Sequence, residues 1–278
     1  MRTALVSFLY PKAKPYWPDA LQSINRQTDK SFDTIVVNDA FGAINANEVT
    51  RIINNDARFS PLALRQHVFN LLMDDGYDLL ISLDADDTMS ADRVANTIKA
   101  CEEHPDAAFY YSALNYMAEP ERAFFDLPEC LNDIKTIFYS NYVGLSHMSL
   151  NLKFLRKNSI HFKFPQNVIA LDWYLAVWML LGGFSGRKTQ GTTYYRLYAD
   201  NLAGKTFDAT FEKAVRVLKI KISHYAAIES LLEVQEYKEA CASELVRLRS
   251  LLNSSEEELR NFLHSRMPDT TNHWWAGY

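Results

Sequence analysis

The sequence predicts an α/β protein with a doubly wound, mostly parallel sheet and a C-terminal helical extension. Three observations support this prediction. Short apolar runs alternate with segments of helical periodicity over roughly the first 110 residues, as in sheets wound by crossover helices. One run, residues 79–83, is apolar throughout, as expected for a strand buried on both faces of a parallel sheet. Residues 207–267 are rich in Glu, Lys and Leu, with apolar stripes at helical spacing.

The composition is that of a globular protein. The chain has 278 residues, a formal net charge of −5 and 48% hydrophobic residues, which suit a substantial core. The mildly acidic balance argues against nucleic acid as the main partner. Three widely spaced cysteines show neither a disulfide framework nor metal-ligand spacing, which favours a reducing compartment. No apolar stretch approaches the ~20 residues that span a bilayer. We therefore expect a cytoplasmic protein, with peripheral attachment to the inner face of the membrane left open.

The first half of the chain gives a series of strand and helix predictions. The predicted strands are apolar and β-rich, and they cover residues 3–9, 31–37, 79–83 and 107–111. The predicted helices cover a segment from Pro18 and residues 49–54, 63–73 and 91–103. Ser90 is the predicted N-cap of the last helix. No strand is followed by a GxGxxG or GxxxxGK[ST] motif, so neither a dinucleotide fingerprint nor a P-loop is supported.

The second half alternates between irregular and regular segments. Residues 143–150 fit either a strand or a loop that lines a site. Asp172 stands near the start of an apolar helix, where a carboxylate is favourable whether or not it takes part in chemistry. Residues 192–197 are predicted to form a short strand. Ser255 and Glu258 form a capping box at the start of a late helix.

Three carboxylates, Asp84, Asp86 and Asp87, follow the buried strand at residues 79–83. Open α/β sheets place their ligands at the carboxyl ends of the strands. Carboxylates grouped there repel one another unless a cation or hydrogen-bond donors satisfy them. The alternative is that these residues only form a turn and cap a helix, since aspartate favours both positions.

Several motifs occur in the order found in one enzyme family. Residues 21–28 match L-x-S-[IV]-x-x-Q-T, residues 35–39 match I-V-V-x-D, and residues 83–87 match L-D-x-D-D. Tyr195 and Arg196 with residues 200–204 resemble a Y-R-x-H-x-x-N-x-x-G segment. The chain thus resembles the GT-A fold glycosyltransferases, specifically inverting family 2, over about residues 3–204. The QxxRW signature of processive synthases is absent, so the resemblance implies a non-processive enzyme.

This resemblance implies a domain organisation and an activity. It implies a GT-A, Rossmann-like domain over residues 1–206, with a nucleotide-sugar-binding half at 1–112 and an acceptor half at 113–206. Residues 207–278 would add a helical extension and an aromatic tail. The implied activity is transfer of a sugar from a nucleotide diphosphate sugar, UDP-linked by preference, to an acceptor hydroxyl in cell-surface polysaccharide or glycan synthesis.

The resemblance also implies roles for individual residues. Asp86 and Asp84 would hold a Mn²⁺ or Mg²⁺ ion, since both ions favour oxygen ligands. The expected donor-binding residues are Ser7, Tyr10, Asp39, Arg65, Asp84 and Arg196. Asp172 would be the general base that deprotonates the acceptor hydroxyl. Trp173, its neighbour, is the best-placed aromatic residue for stacking on a sugar ring.

The main departure from the family is Tyr198, where the family often has a histidine that completes metal coordination. A tyrosine, with a pKa of about 10, is a poor ligand for Mg²⁺ or Mn²⁺ at neutral pH. Water or diphosphate oxygens would then take its place. The tail residues Trp274 and Trp275 fit an acceptor-site cover, a partner contact or a membrane contact equally well.

The expected partners are a nucleotide diphosphate sugar and a glycan, lipid-linked or protein acceptor. The C-terminal helices offer a surface for homo-oligomerisation. Two other functions stay open. A sugar nucleotidyltransferase would need a glycine-rich basic loop after the first strand, whereas residues 10–15 contain no glycine. A degenerate, non-catalytic GT-A scaffold is compatible with Tyr198, although Asp84, Asp86 and Asp172 argue for an enzyme.

Overall fold

The computed structural model describes residues 1–198, residues 211–265 and Trp274. The chain divides into two compact units. The first unit comprises Met1–Asn132, Val143–Phe164 and Phe184–Tyr198. The second comprises Asp133–Tyr142, Pro165–Gly183 and the described residues after 198. The predicted boundary between residues 206 and 207 lies outside the described residues.

All nine named strands belong to one sheet in the first unit. In chain order they are β1 (Thr3–Leu9), β2 (Phe32–Asn38), β3 (Arg51–Asn54), β4 (Leu79–Ser82), β5 (Thr88–Met89), β6 (Phe109–Tyr116), β7 (Cys130–Leu131), β8 (Met148–Leu150) and β9 (Gly186–Tyr195). Their spatial order is β3-β2-β1-β4-β8-β6-β9-β5, and β7 also pairs with β9. The long pairings are parallel, and the antiparallel ones involve short strands. This arrangement confirms the predicted mostly parallel α/β sheet.

Helices accompany the sheet in the first unit and make up most of the second. The α-helices of the first unit are α1 (Trp17–Asn25), α2 (Pro61–Asp74), α3 (Arg93–Glu103) and α4 (Leu152–Lys157). Those of the second unit are α5 (Leu171–Leu181), α6 (Phe211–Ile228), α7 (Gln235–Leu252) and α8 (Glu256–Ser265). Short 3-10 turns lie at Pro11–Ala13, Ala46–Glu48, Leu145–His147 and Glu229–Leu231. None of the helices in the described part of the chain has the length and apolar character of a membrane span.

The sheet has a hydrophobic core on each face, as its alternating side chains require. On one face Leu5 and Leu9 of β1 join a buried cluster that includes Leu21 of α1 and Val94 of α3. On the other face the ring of Phe8 lies 6.4 Å from that of Phe69 in α2, measured between centroids. Helices therefore cover both faces of the sheet, and ligands have access to its edges.

Two local predictions were wrong. Residues 49–54 were expected to form a helix, but Arg51–Asn54 is a strand that runs parallel to β2. The β-branched pair Ile52 and Ile53 suits a strand, and the pairing with β2 decides the conformation. Ser90 was expected to cap α3, but the helix begins at Arg93 with Asp92 at the N-cap position. The Ser90 hydroxyl instead donates to the Asp92 carboxylate at 2.6 Å.

Candidate functional site

A tight loop at the carboxyl end of β4 carries the three carboxylates. The Ser7 hydroxyl of β1 donates to the backbone oxygen of Leu83 at 2.8 Å and ties the loop to the neighbouring strand. The Asp84 backbone N–H donates to the Ser146 hydroxyl at 3.1 Å. The Asp87 N–H then donates to the Asp84 carbonyl at 3.1 Å, which closes a turn. These three hydrogen bonds fix the conformation of the loop.

Asp84, Asp86 and Asp87 form an acid cluster in which one carboxylate oxygen of each lies within 4.8 Å of the others. Asp84 and Asp86 are half-buried, whereas Asp87 is 1% exposed. Burial, with the nearby charges of Asp86 and Asp84, raises the pKa of Asp87 well above its usual range. The Ser146 hydroxyl lies near enough to Asp87 to oppose this shift in pKa, yet by distance and angle Asp87 Oδ2 has no hydrogen-bond partner among the described residues. A divalent cation would fit this set, because it is all oxygen and one buried oxygen has no partner.

A buried arginine lies behind the acid cluster. Arg93, the first residue of α3, is 0% exposed, and its guanidinium donates to the Ser82 carbonyl at 2.8 Å. Burial lowers the pKa of Arg93 to about 9, against the opposing charges of Asp87 and Asp84. At neutral pH the side chain stays protonated and supplies a fixed positive charge near the end of β4.

Two tyrosine hydroxyls contact the same oxygen of the acid cluster. Tyr198 donates to Asp86 Oδ2 at 2.6 Å, and Tyr10 donates to the same atom at 3.2 Å. Burial and the Asp86 carboxylate raise the pKa of both tyrosines above the usual value. Both hydroxyls therefore keep their protons at physiological pH and act as donors.

Residues 196–198, here called the strap, are fastened to the loop that carries the acid cluster. The Arg196 backbone N–H donates to Asp87 Oδ1 at 2.9 Å, and its Nε donates to the Asp86 carbonyl at 2.8 Å. The same guanidinium forms an ion pair with Asp19 at 2.8 Å and lies 4.8 Å from the centre of the Tyr16 ring. The Tyr16 ring stacks on Tyr198 with 5.6 Å between centroids. The strap thus connects α1 with the acid cluster.

Asp39 and Arg65 lie next to β1. The Asp39 backbone N–H donates to the carbonyl of Leu9, the last residue of β1, and its carboxylate accepts from Asn55 at 2.8 Å. The Arg65 guanidinium lies 4.8 Å from the centre of the Phe8 ring and donates to the Pro61 carbonyl. Asp39 therefore stands at the same sheet edge as Tyr10.

Asp172 belongs to the second unit, in the first turn of α5. It is half-buried, and its Oδ1 accepts from the Trp173 backbone N–H at 2.8 Å. The expectation that Trp173 stacks on a sugar was wrong, because this residue is 0% exposed. Its ring stacks on His224 at 3.6 Å, and its ring N–H donates to the Ile137 carbonyl.

The structure describes only parts of the aromatic tail and of the segment that resembles Y-R-x-H-x-x-N-x-x-G. Trp274 is 5% exposed and exchanges two backbone hydrogen bonds with Asn141 in the second unit. An exposed aromatic anchor at Trp274 is therefore ruled out. Trp275 and residues 200–204 lie outside the described residues.

Three residues of the site were missed by sequence reasoning: Tyr16, Asp19 and Arg93. Arg93 had a usable signal, since it shares the buried face of α3 with Val94, Thr97 and Cys101. An arginine on an apolar helix face is rare enough to indicate a buried charge partner. Tyr16 and Asp19 have no such signal, because their contacts come from distant parts of the sequence, whereas Ser146 lies in the segment 143–150 that was expected to be a strand or a loop lining a site.

Similarity to known proteins is found in structure and not in sequence. No protein-family model matches the chain, and no curated protein matches it significantly. S. aureus TarS 1–349 in complex with UDP superposes with a TM-score of 0.56 at 14% identity, over 93% of this chain and 77% of that one. The same protein in complex with UDP-GlcNAc gives 0.51 at 13%, over 95% and 86%.

A second protein matches equally well. The mannosyltransferase PcManGT from Pyrobaculum calidifontis, in complex with GDP-Man and Mn²⁺, gives a TM-score of 0.56 at 11% identity. The match covers 95% of this chain and 73% of that one. The chain has the GT-A glycosyltransferase fold. The fold predicted from the motif order is thereby confirmed, while membership of family 2 stays a prediction.

Proposed function

We propose that the chain is a glycosyltransferase that moves a sugar from a nucleotide diphosphate sugar, preferably UDP-linked, to an acceptor hydroxyl. The supporting observation is an acid cluster at the carboxyl edge of a GT-A sheet, which includes a buried carboxylate oxygen without a partner among the described residues. Three of the structures that share this fold are complexes with UDP, UDP-GlcNAc or GDP-Man, and the GDP-Man complex also holds Mn²⁺.

The acid cluster and its surroundings suit a diphosphate donor. Asp86 and Asp84 would hold Mn²⁺ or Mg²⁺, which would stabilise negative charge on the leaving diphosphate. Asp39 would accept a hydrogen bond from the base. Arg65 and Arg196 would contact the phosphates with their guanidinium groups. A guanidinium can donate two parallel, charge-assisted hydrogen bonds to a phosphate, which makes the contact strong. Ser7 supports the site because its hydroxyl donates a hydrogen bond to the Leu83 carbonyl, at the start of the loop that carries the acid cluster.

Transfer with inversion needs one general base at the acceptor side. We assign this role to Asp172, because it is half-buried and its carboxylate is held by the Trp173 N–H. Trp173 is itself fixed in the core of the second unit, so the backbone that carries Asp172 is well supported. The acceptor would be a glycan, a lipid-linked sugar or a protein, in cell-surface polysaccharide or glycan synthesis at the cytoplasmic side.

Thermal stabilisation by ligands tests the donor site. A panel of UDP, GDP and their sugars is added to the full chain with and without Mn²⁺, and the melting temperature is recorded. A ligand at one hundred times its dissociation constant should stabilise the chain by about 2.7 kcal/mol. We expect stabilisation by at least one nucleotide diphosphate, enhanced by Mn²⁺, and loss of the Mn²⁺ enhancement in Asp86→Ala.

Asp106→Ala is the matched control, since Asp106 is an exposed aspartate in the same unit. It should keep the Mn²⁺ enhancement. If no nucleotide diphosphate or nucleotide sugar stabilises the protein, the proposed function is wrong. Binding without release of nucleoside diphosphate in the presence of mixed acceptors would instead favour the non-catalytic scaffold.

A further inference from the structure

We propose that Tyr198 is a positioning residue that weakens cation binding at the acid cluster, by occupying Asp86 Oδ2 with its hydroxyl. A cation that takes this oxygen must first displace the hydroxyl. The inference rests on the proposed function only for the assignment of Asp86 as a metal ligand. It adds a role for the residue that replaces the expected histidine.

The lone pairs of Asp86 Oδ2 limit the room that this oxygen offers to a cation. A carboxylate oxygen has about two acceptor positions, and a divalent cation needs one of them. At Asp86 Oδ2, Tyr198 and Tyr10 each donate a hydrogen bond, at 2.6 and 3.2 Å. Both positions of this oxygen are therefore taken by hydroxyl groups in the structure.

Tyr198 is held in place by the contacts of the strap. Its ring stacks on Tyr16, with 5.6 Å between centroids and an interplanar angle of 16°. Two residues earlier, Arg196 bonds to the Asp86 carbonyl, to Asp87 and to Asp19. The strap is thus attached to the loop that carries the acid cluster and to α1, and the hydroxyl of Tyr198 is preorganised at Asp86. Preorganised donors lose little entropy on bonding, so they compete well with a cation.

The hydroxyls of Tyr198 and Tyr10 differ in the length of their hydrogen bonds to Asp86. Hydrogen bonds to charged groups are stronger when shorter, and the Tyr198 bond is the shorter by 0.6 Å (3.2 against 2.6 Å). Removal of the Tyr198 hydroxyl should therefore tighten cation binding by about tenfold, in line with the net strength of a charge-assisted bond. Removal of the Tyr10 hydroxyl should tighten it by less.

Calorimetric titration of the full chain with Mn²⁺ alone, without nucleotide, tests this inference. The variants are Tyr198→Phe, Tyr10→Phe and Tyr198→His. Tyr16→Phe is the matched control, because it removes a hydroxyl from the ring stacked on Tyr198 and leaves the hydroxyl of Tyr198 in place. We expect Tyr198→Phe to bind Mn²⁺ about tenfold more tightly than the original chain, Tyr16→Phe to be unchanged, and Tyr198→His to bind at least as tightly as Tyr198→Phe.

Equal or weaker Mn²⁺ binding in Tyr198→Phe would overturn the inference, because the Tyr198 hydroxyl would then have no effect on cation binding or would strengthen it. Absence of Mn²⁺ binding in every variant would overturn it as well. Far-UV circular dichroism and melting curves verify that each variant is folded. The proposed function is tested separately by nucleotide stabilisation, so a chain that binds Mn²⁺ as expected and no nucleotide would contradict that function alone.

Discussion

Two buried polar groups, Asp87 in the first unit and His224 in the second, differ in what surrounds them. Each is 1% exposed, and each has ring or carboxylate atoms without a hydrogen-bond partner among the described residues. Asp87 adjoins the half-buried Asp84 and Asp86, so a ligand that reaches these two also reaches its neighbourhood. His224 stacks on the fully buried Trp173 and has Tyr225 at its edge.

A buried polar group without a hydrogen-bond partner has different consequences in these two places. A missing partner destabilises the folded protein in both places, since burial removes hydration. In the open acid cluster a ligand can compensate for that loss, so the cluster is suited to binding. In the sealed aromatic core no ligand can enter, so the same feature makes stability depend on protonation. Perturbed groups therefore indicate function only where the surroundings admit a ligand.

The largest expected effect is that of Asp172→Asn. Loss of a general base should lower transfer about 10²–10⁴-fold, while nucleotide-sugar binding is kept. Transfer is measured as release of nucleoside diphosphate with mixed acceptors, and binding by calorimetry. Glu236→Gln is the control, because Glu236 also stands in the first turn of a helix in the second unit. A fully active Asp172→Asn chain would remove Asp172 from the chemistry and leave the second unit with a structural role.

A smaller effect is expected when a methyl group is added behind the acid cluster. Gly191 in β9 has φ +90°, and a Cβ there would lie 2.9 Å from the backbone Cα of Arg93. Gly191→Ala should combine backbone strain with this clash and cost about 2–4 kcal/mol in the free energy of unfolding. Gly183, after α5, has φ +78°, and apart from its two chain neighbours no described residue has an atom within 4 Å of the place that an added methyl group would take. Gly183→Ala should cost only about 1 kcal/mol.

Urea denaturation of both variants gives the two free energies. Nucleotide binding should weaken in Gly191→Ala alone, because a shift of Arg93 moves the guanidinium that holds the Ser82 carbonyl at the end of β4. Equal destabilisation by the two substitutions would show that the start of α3 can move away from the added methyl group at little cost. The acid cluster would then be less firmly supported than the contacts indicate.

Acid should destabilise the protein through the buried side chain of His224. Burial, followed by the charge of Lys221, lowers the pKa of His224 well below its usual value of 6.5. Below pH 6.5 His224 therefore binds a proton in the unfolded chain but stays neutral in the folded chain, so the free energy of unfolding falls. Between pH 7.5 and 5.5 this histidine alone should cost about 1.4 kcal/mol. His224→Phe keeps a flat ring on Trp173 and should lose that part of the pH dependence, whereas His161→Gln, at an exposed site, should retain it. Parallel pH profiles of the original chain and His224→Phe would contradict a sealed, neutral histidine.

The sequence was sufficient for the features that depend on local pattern. Buried parallel strands have continuous apolar runs, so β1, β2 and β4 were predictable, and the carboxyl-edge rule placed Asp84, Asp86 and Asp87 together. Residues 49–54 were misjudged because a four-residue edge strand takes its conformation from its partner.

Features that depend on distant contacts or on side-chain direction were not predictable. Trp173 follows Asp172 in the chain, but successive residues of a helix point about 100° apart, so one is half-buried and the other lies in the core. Tyr198 was recognised as a departure from the family, yet its bond to Asp86 spans 112 positions and no local pattern indicates it.

The smallest predicted effect compares ion pairs on a helix of each unit. Lys99 and Glu103 of α3 lie 3.8 Å apart with side chains 70% and 57% exposed. Arg247 and Glu244 of α7 lie 2.7 Å apart, are 32% and 17% exposed, and share two hydrogen bonds. Solvent and salt weaken an exposed pair, whereas partial burial and two-point geometry strengthen the other.

Glu103→Gln should therefore lower the free energy of unfolding by about 0.3 kcal/mol, and by nothing measurable in 1 M salt. Glu244→Gln should cost about 1 kcal/mol in both conditions, because the pair is screened less and Arg247 loses charge-assisted bonds. Equal costs in urea denaturation would show that burial does not govern the strength of polar contacts in the second unit.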